Sequence, residues 1–127
     1  MKNDAYIFGT LMTPRGKKKK GAFTQLKQTD ILWKLLIFLK NKYDLDTSWL
    51  DDVIIGCATP IGEQGGNIAK AALQYAEWDY SFSDIQINRY CASRLKSVNL
   101  SAMKIRSGWQ NLIVAGGMGI FTIIERV

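Results

Sequence analysis

The chain contains no histidine among its 127 residues. That absence removes the usual proton acceptor for a cysteine or serine nucleophile and the commonest side-chain metal ligand. Its two cysteines, Cys57 and Cys91, make neither a disulfide framework nor a metal-ligand spacing, so no metal is expected. Proline is scarce, two against eleven glycines, which suits regular elements joined by tight turns. Long apolar runs are missing too. The longest cluster, Ile31 to Leu39, is interrupted by Lys34 and is far too short to span a bilayer. The opening residues Met-Lys-Asn-Asp-Ala-Tyr-Ile-Phe-Gly hold too short an apolar stretch for a signal peptide. The expectation is a reduced, cytoplasmic protein without a membrane partner.

What is present is the composition of an ordinary globular domain. Hydrophobic residues make up 47% and charged residues 22%, and the length suffices for one domain with a real core. The net charge is +6, much of it in Arg15-Gly-Lys-Lys-Lys-Lys20. Such a run can hold phosphate groups. No aromatic residue interleaves the lysines, so a solvated loop is favoured and nucleic acid is not expected as a partner.

Periodicity predicts a layered α/β fold in the order β-α-β-α-β-α-β. Ala5 to Leu11 reads as a strand ended by Thr13-Pro14. A helix starts after a cap at Thr29 or Asp30 and runs to about Lys42. Its apolar residues point in nearly every direction, which asks for burial on both flanks. Asp52 to Ala58 is a continuous apolar run, as in a strand covered on both faces. Asn67 is placed to cap a helix from Ile68 to about Ala76. Ile85 and Ile87 alternate as in a short strand. Ala92, Leu95, Val98, Met103 and Ile105 then recur at helical spacing. Gln110 to Gly117 is a fourth strand, and Met118 to Val127 a tail holding a further apolar run, Ile120 to Ile124. The glycine clusters Gly62-Glu-Gln-Gly-Gly66 and Gly116-Gly-Met-Gly119 match neither common phosphate-binding pattern and read as turns.

Cys91 is the chemically informative residue. It falls where a strand hands over to a helix, and a helix N-terminus favours a thiolate, the nucleophilic form. Cysteine is equally at home as a small buried apolar residue. The flanking sequence favours the nucleophile.

Taken in order, the segments resemble the N-terminal part of the thiolase family, the acetyl-CoA acetyltransferases and 3-ketoacyl-CoA thiolases. The pieces are Thr13-Pro-Arg-Gly16, Asp51-Asp-Val-Ile-Ile-Gly-Cys57, Gly62-Glu-Gln-Gly-Gly-Asn-Ile-Ala69, Asn88-Arg-x-Cys91-x-Ser93, Asn99-Leu-Ser-Ala102 and Ala115-Gly-Gly117. The resemblance implies that Cys91 matches the cysteine that attacks an acyl-CoA at its keto carbon and carries the acyl group as a thioester. Coenzyme A thioester is then a substrate, and no cofactor is implied.

The departures are equally specific. Thiolases have two similar βαβαβαββ halves and a loop domain. The activating histidine and a second, acid/base cysteine belong to the other half, and Cys57 matches a strand position outside the active site. Residues 1–117 then read as a partial thiolase N-terminal domain lacking the last strand of its half, with 118–127 a divergent tail. Arg94 and Lys96 stand where the family usually has glycine and glutamine, and Met12 where it has arginine. Gly119 and Ile120 stand where it has glutamate and serine. The expectation is a truncated thiolase-family protein with little or no activity of its own. The alternatives are one chain of a split acyltransferase whose partner supplies the missing half, or a module that pairs through a sheet edge. An apolar helix and an incomplete sheet also lead us to expect a homo-oligomer.

Overall fold

The computed structural model describes residues 3–127. Among these, five strands form one mixed sheet: β1 (Ala5–Met12), β2 (Asp52–Gly56), β3 (Ser83–Ile87), β4 (Leu112–Gly117) and β5 (Ile120–Arg126). Three helices accompany them: α1 (Gln28–Tyr43), α2 (Ile68–Tyr75) and α3 (Ser93–Arg106). The spatial order is β1-β5-β4-β2-β3. β2 lies parallel to both β3 and β4, while β5 runs antiparallel to β4 and β1.

The central strands alternate between two cores, as a strand's period of two requires. Val53, Ile55, Val114, Phe121 and Ile123 join the α1 and α2 side chains on one face. Ile54, Ile113, Ala115 and Ile124 meet Ile105 of α3 on the other. Helices therefore cover both faces, as the unbroken apolar run of β2 predicts; all five of its residues are buried.

Helix α1 buries Leu32, Leu35, Leu36 and Leu39, a stripe at i, i+3, i+4 and i+7. Each such side chain contributes about 1.5–3 kcal/mol. The opposite flank stays open, with Phe38 60% exposed, so burial on both flanks does not occur. Neither Thr29 nor Asp30 caps the helix. Lys27 occupies the N-cap without a side-chain bond, and Asp30, in the first turn, accepts from the Trp33 indole N–H at 3.1 Å. Asn67 does cap α2, its Oδ1 accepting from the Ala69 and Lys70 amides.

Helix α3 keeps Ile105, and Val98 in part, on the expected core face but departs from it elsewhere. Leu95 and Met103 are exposed, and the buried residues are Ser93, Ser97, Ser101 and Ile105. The helix lies so close to the sheet that a Cβ at Gly56 would run into the Ser93 backbone. Only small side chains fit such an approach. Their hydroxyls are satisfied by back-bonding: Ser101 Oγ donates to the Ser97 carbonyl at 2.8 Å, and Ser97 Oγ lies within reach of the Arg94 and Gly116 carbonyls. Lys104, in the last turn of the helix, pairs with the buried Asp52 carboxylate at the start of β2.

The last strand of the half is present, against expectation. Residues 118–127 do not hang off the fold as a tail: β5 runs between β1 and β4 near the middle of the sheet. Gly117 pairs with Ile120, leaving a two-residue turn in which Met118 and Gly119 have φ of 51° and 72°. Positive φ at both positions is the type I′ hairpin geometry. The eight elements thus run β-α-β-α-β-α-β-β, one strand more than the sequence reading.

Candidate active-site turn and the adjoining cavity

Five residues, Asn88 to Ala92, connect β3 to α3. Tyr90 adopts a left-handed φ of 49°, an uncommon conformation for a bulky residue. Its neighbours hold it there. Asn88 Oδ1 accepts from the Tyr90 amide at 2.9 Å, and Asn88 Nδ2 donates to the Ala58 carbonyl at 3.3 Å. Ser93 Oγ, on a residue 3% exposed, accepts from the Arg89 amide at 2.8 Å and donates to the Tyr90 carbonyl at 2.6 Å. The Ala92 and Ser93 amides donate to the Arg89 and Tyr90 carbonyls. Asn88 and Ser93 thereby lock both ends of the loop that presents Cys91. The motif contains both residues, but no spacing rule reveals their work, since each bonds to backbone across the turn.

Cys91 sits at the crest of this turn, immediately before Ala92, the N-cap of α3, and is exposed. Cys57 is its opposite: it follows β2, is 6% exposed, and has Sγ 3.9 Å from Gln64 Oε1. The lysine run from Lys17 to Lys20 is an exposed turn, and Gly62 to Gln64 is a single 3₁₀ turn. Among the described residues no three His, Cys, Asp or Glu side chains come together as a metal site, and no helix is long and apolar enough to cross a membrane.

A cavity of about 670 Å³ opens at the carboxyl ends of β2 and β4, between α1, α2 and the β4–β5 turn. Such strand ends are where parallel α/β sheets usually place ligands. Cys57 and Arg94 line it, and Cys91 does not. Four of the five family departures, Met12, Arg94, Gly119 and Ile120, also line this one cavity, while Lys96 stands apart. Met12 and Ile120 are direct partners in the β1–β5 ladder.

Comparison with known proteins places the chain in a family. The family model described as "Thiolase, N-terminal domain" matches residues 5–125. The chain belongs to the thiolase family. It is 38% identical over 117 residues to the 3-ketoacyl-CoA thiolase of Bacillus subtilis (strain 168), covering 90% of this chain and 29% of that protein. It is 34% identical over 119 residues to the 3-oxoadipyl-CoA/3-oxo-5,6-dehydrosuberyl-CoA thiolase of Escherichia coli (strain K12), with shares of 91% and 29%. Against the steroid 3-ketoacyl-CoA thiolase FadA6 of Mycobacterium tuberculosis, identity is 32% over 118 residues, with shares of 91% and 28%. The chain thus spans under a third of the length of these curated relatives, and the matched region includes β5.

Proposed function

We propose that this chain carries the acyl-accepting site of a thiolase-type transfer, with Cys91 as nucleophile, and that it does not turn over alone. The observation that carries the reading is the built turn that holds Cys91 out to solvent ahead of α3. In the reaction, the Cys91 sulfur bonds to the keto carbon of a 3-ketoacyl-CoA. The carbon–carbon bond to the acetyl-CoA portion breaks, and that portion leaves as a carbanion that needs a proton. Coenzyme A then takes the acyl group from sulfur, and its thiol proton must go to a base. Both proton transfers call for groups this chain lacks: it has no histidine, and Cys57 is buried. A second polypeptide or segment would supply them, in the cytoplasm. The test incubates the chain with acetoacetyl-CoA and coenzyme A. The expected result is no catalytic release of acetyl-CoA beyond the one equivalent that leaves as each Cys91 is acylated, because loss of co-acting groups costs several orders of magnitude in turnover. An acyl adduct at Cys91 in peptide mass analysis supports the assignment. Turnover by the chain alone, or acylation confined to Cys57, refutes it.

A second reading, pairing through a sheet edge, has one observation in its favour. β3 is one of the two edge strands of the sheet, and Ile85 on it is 41% exposed. An open edge of this kind is a template for another strand. If it pairs copies of the chain, Ile85→Lys shifts the sedimentation mass toward monomer; an unchanged mass rules that edge out.

A further inference from the structure

We propose that the cavity beside Cys57 binds a straight-chain fatty acid anion, its carboxylate on Arg94 and its alkyl chain against α1 and α2. The volume of about 670 Å³ lies within the usual range of small-molecule sites. Ile31 and Leu32 of α1, Ile55 of β2 and Ile68 of α2 contribute an apolar wall. Arg15 and Arg94 are both among the residues lining the cavity, and no aspartate or glutamate lines it. Among the described residues, the ion pairs are those of Lys70 and Lys104, so neither arginine has an acidic partner. Lys17 to Lys20 follow directly on Gly16, another lining residue, and add positive potential near the mouth.

Charge and shape together select the ligand. A guanidinium fork pairs with a carboxylate through two parallel charge-assisted bonds. An apolar wall excludes a small hydrated anion and rewards each buried methylene. The pairing at Met12 and Ile120 keeps the rim apolar where it meets the sheet. A carboxylate with a flexible unbranched tail meets both demands. Binding requires nothing of Cys91, which lies outside the lining, so this site stands or falls separately from the thioester chemistry.

The experiment is calorimetric titration of the full chain with decanoate below its micellar concentration. It is repeated with the Cys91→Ser variant, with decanol and decylamine, and with coenzyme A and inorganic phosphate. Expected are saturable 1:1 binding of decanoate, unchanged in Cys91→Ser, and little or none of the alcohol or amine. Arg94→Gln, which removes the guanidinium charge and keeps a polar side chain at an exposed position, weakens decanoate by at least about tenfold. Ile31→Trp, which fills the wall, weakens it independently of charge. Decanoate also slows iodoacetamide labelling of Cys57 in the native chain and leaves the Cys91 rate unchanged. The proposal is overturned by non-saturable uptake, by decanol binding as well as decanoate, or by unaltered affinity in Arg94→Gln. It is also overturned if phosphate or coenzyme A binds through Arg94 and decanoate does not.

Discussion

Lys104→Met should be far more damaging than removal of an ordinary surface lysine. The Asp52 side chain is 3% exposed, whereas that of Lys104 is 29% exposed. One carboxylate oxygen of Asp52 bonds the ammonium, and the other has no partner. Deleting the cation leaves a carboxylate locked between β2 and α3 with nothing to balance it. Breaking a buried pair in this way costs about 3–5 kcal/mol. A domain of this length has roughly 6–19 kcal/mol in all, so the variant loses a large part of its stability. With an m-value of about 2 kcal/mol/M, the urea midpoint falls by about 2 M. Asp52→Asn should cost less, because the freed lysine reaches water. The double variant Asp52→Asn/Lys104→Met should then be more stable than Lys104→Met alone. Urea unfolding of the three variants, followed by circular dichroism, measures the cycle. A loss below about 1 kcal/mol in Lys104→Met, with an additive cycle, would mean the pair behaves as an exposed one and that the burial argument is wrong.

In the native chain, iodoacetamide at neutral pH should label Cys91 faster than Cys57, since one thiol is exposed and the other buried; peptide mass analysis showing the reverse order removes the accessibility argument. Asp46 and Asp79 are held below the ordinary carboxyl value near 3.8, mainly by the hydroxyls and then the amides of Ser48 and Ser81 respectively. Because the folded state depresses both, their contribution is whole above that value and is lost as pH falls through the lowered one. Asp46→Asn and Asp79→Asn should therefore differ from the native chain more at pH 7 than at pH 3, which thermal unfolding at the two pH values checks. Met118→Asn should stabilise the β4–β5 hairpin by up to about 1 kcal/mol, because asparagine tolerates the left-handed φ that methionine resists; no gain in melting temperature would count against the type I′ assignment.

Short-range physics made much of this chain legible without coordinates. The existence of α1, the unbroken apolar run of β2 and the Asn67 cap each depend on neighbours within a turn or two of chain, so periodicity and capping rules find them, whereas which flank of α1 is buried was decided by packing. The ordered family motifs point to Cys91 in the same local way. Tertiary packing decided the rest. An amphipathic reading assumes that apolar residues face the core, but the closeness of α3 to Gly56 and Gly116 admits serines and turns Leu95 and Met103 outward. The β5 segment was legible as an apolar run, yet its place depends on a turn with methionine where asparagine or glycine would have announced it. The exposures of Cys57 and Cys91 depend on what stands over each thiol, which local sequence does not encode. The cavity is the extreme case: Met12, Arg94 and Ile120 come from widely separated parts of the chain, and only ladder register and helix placement bring them to one rim.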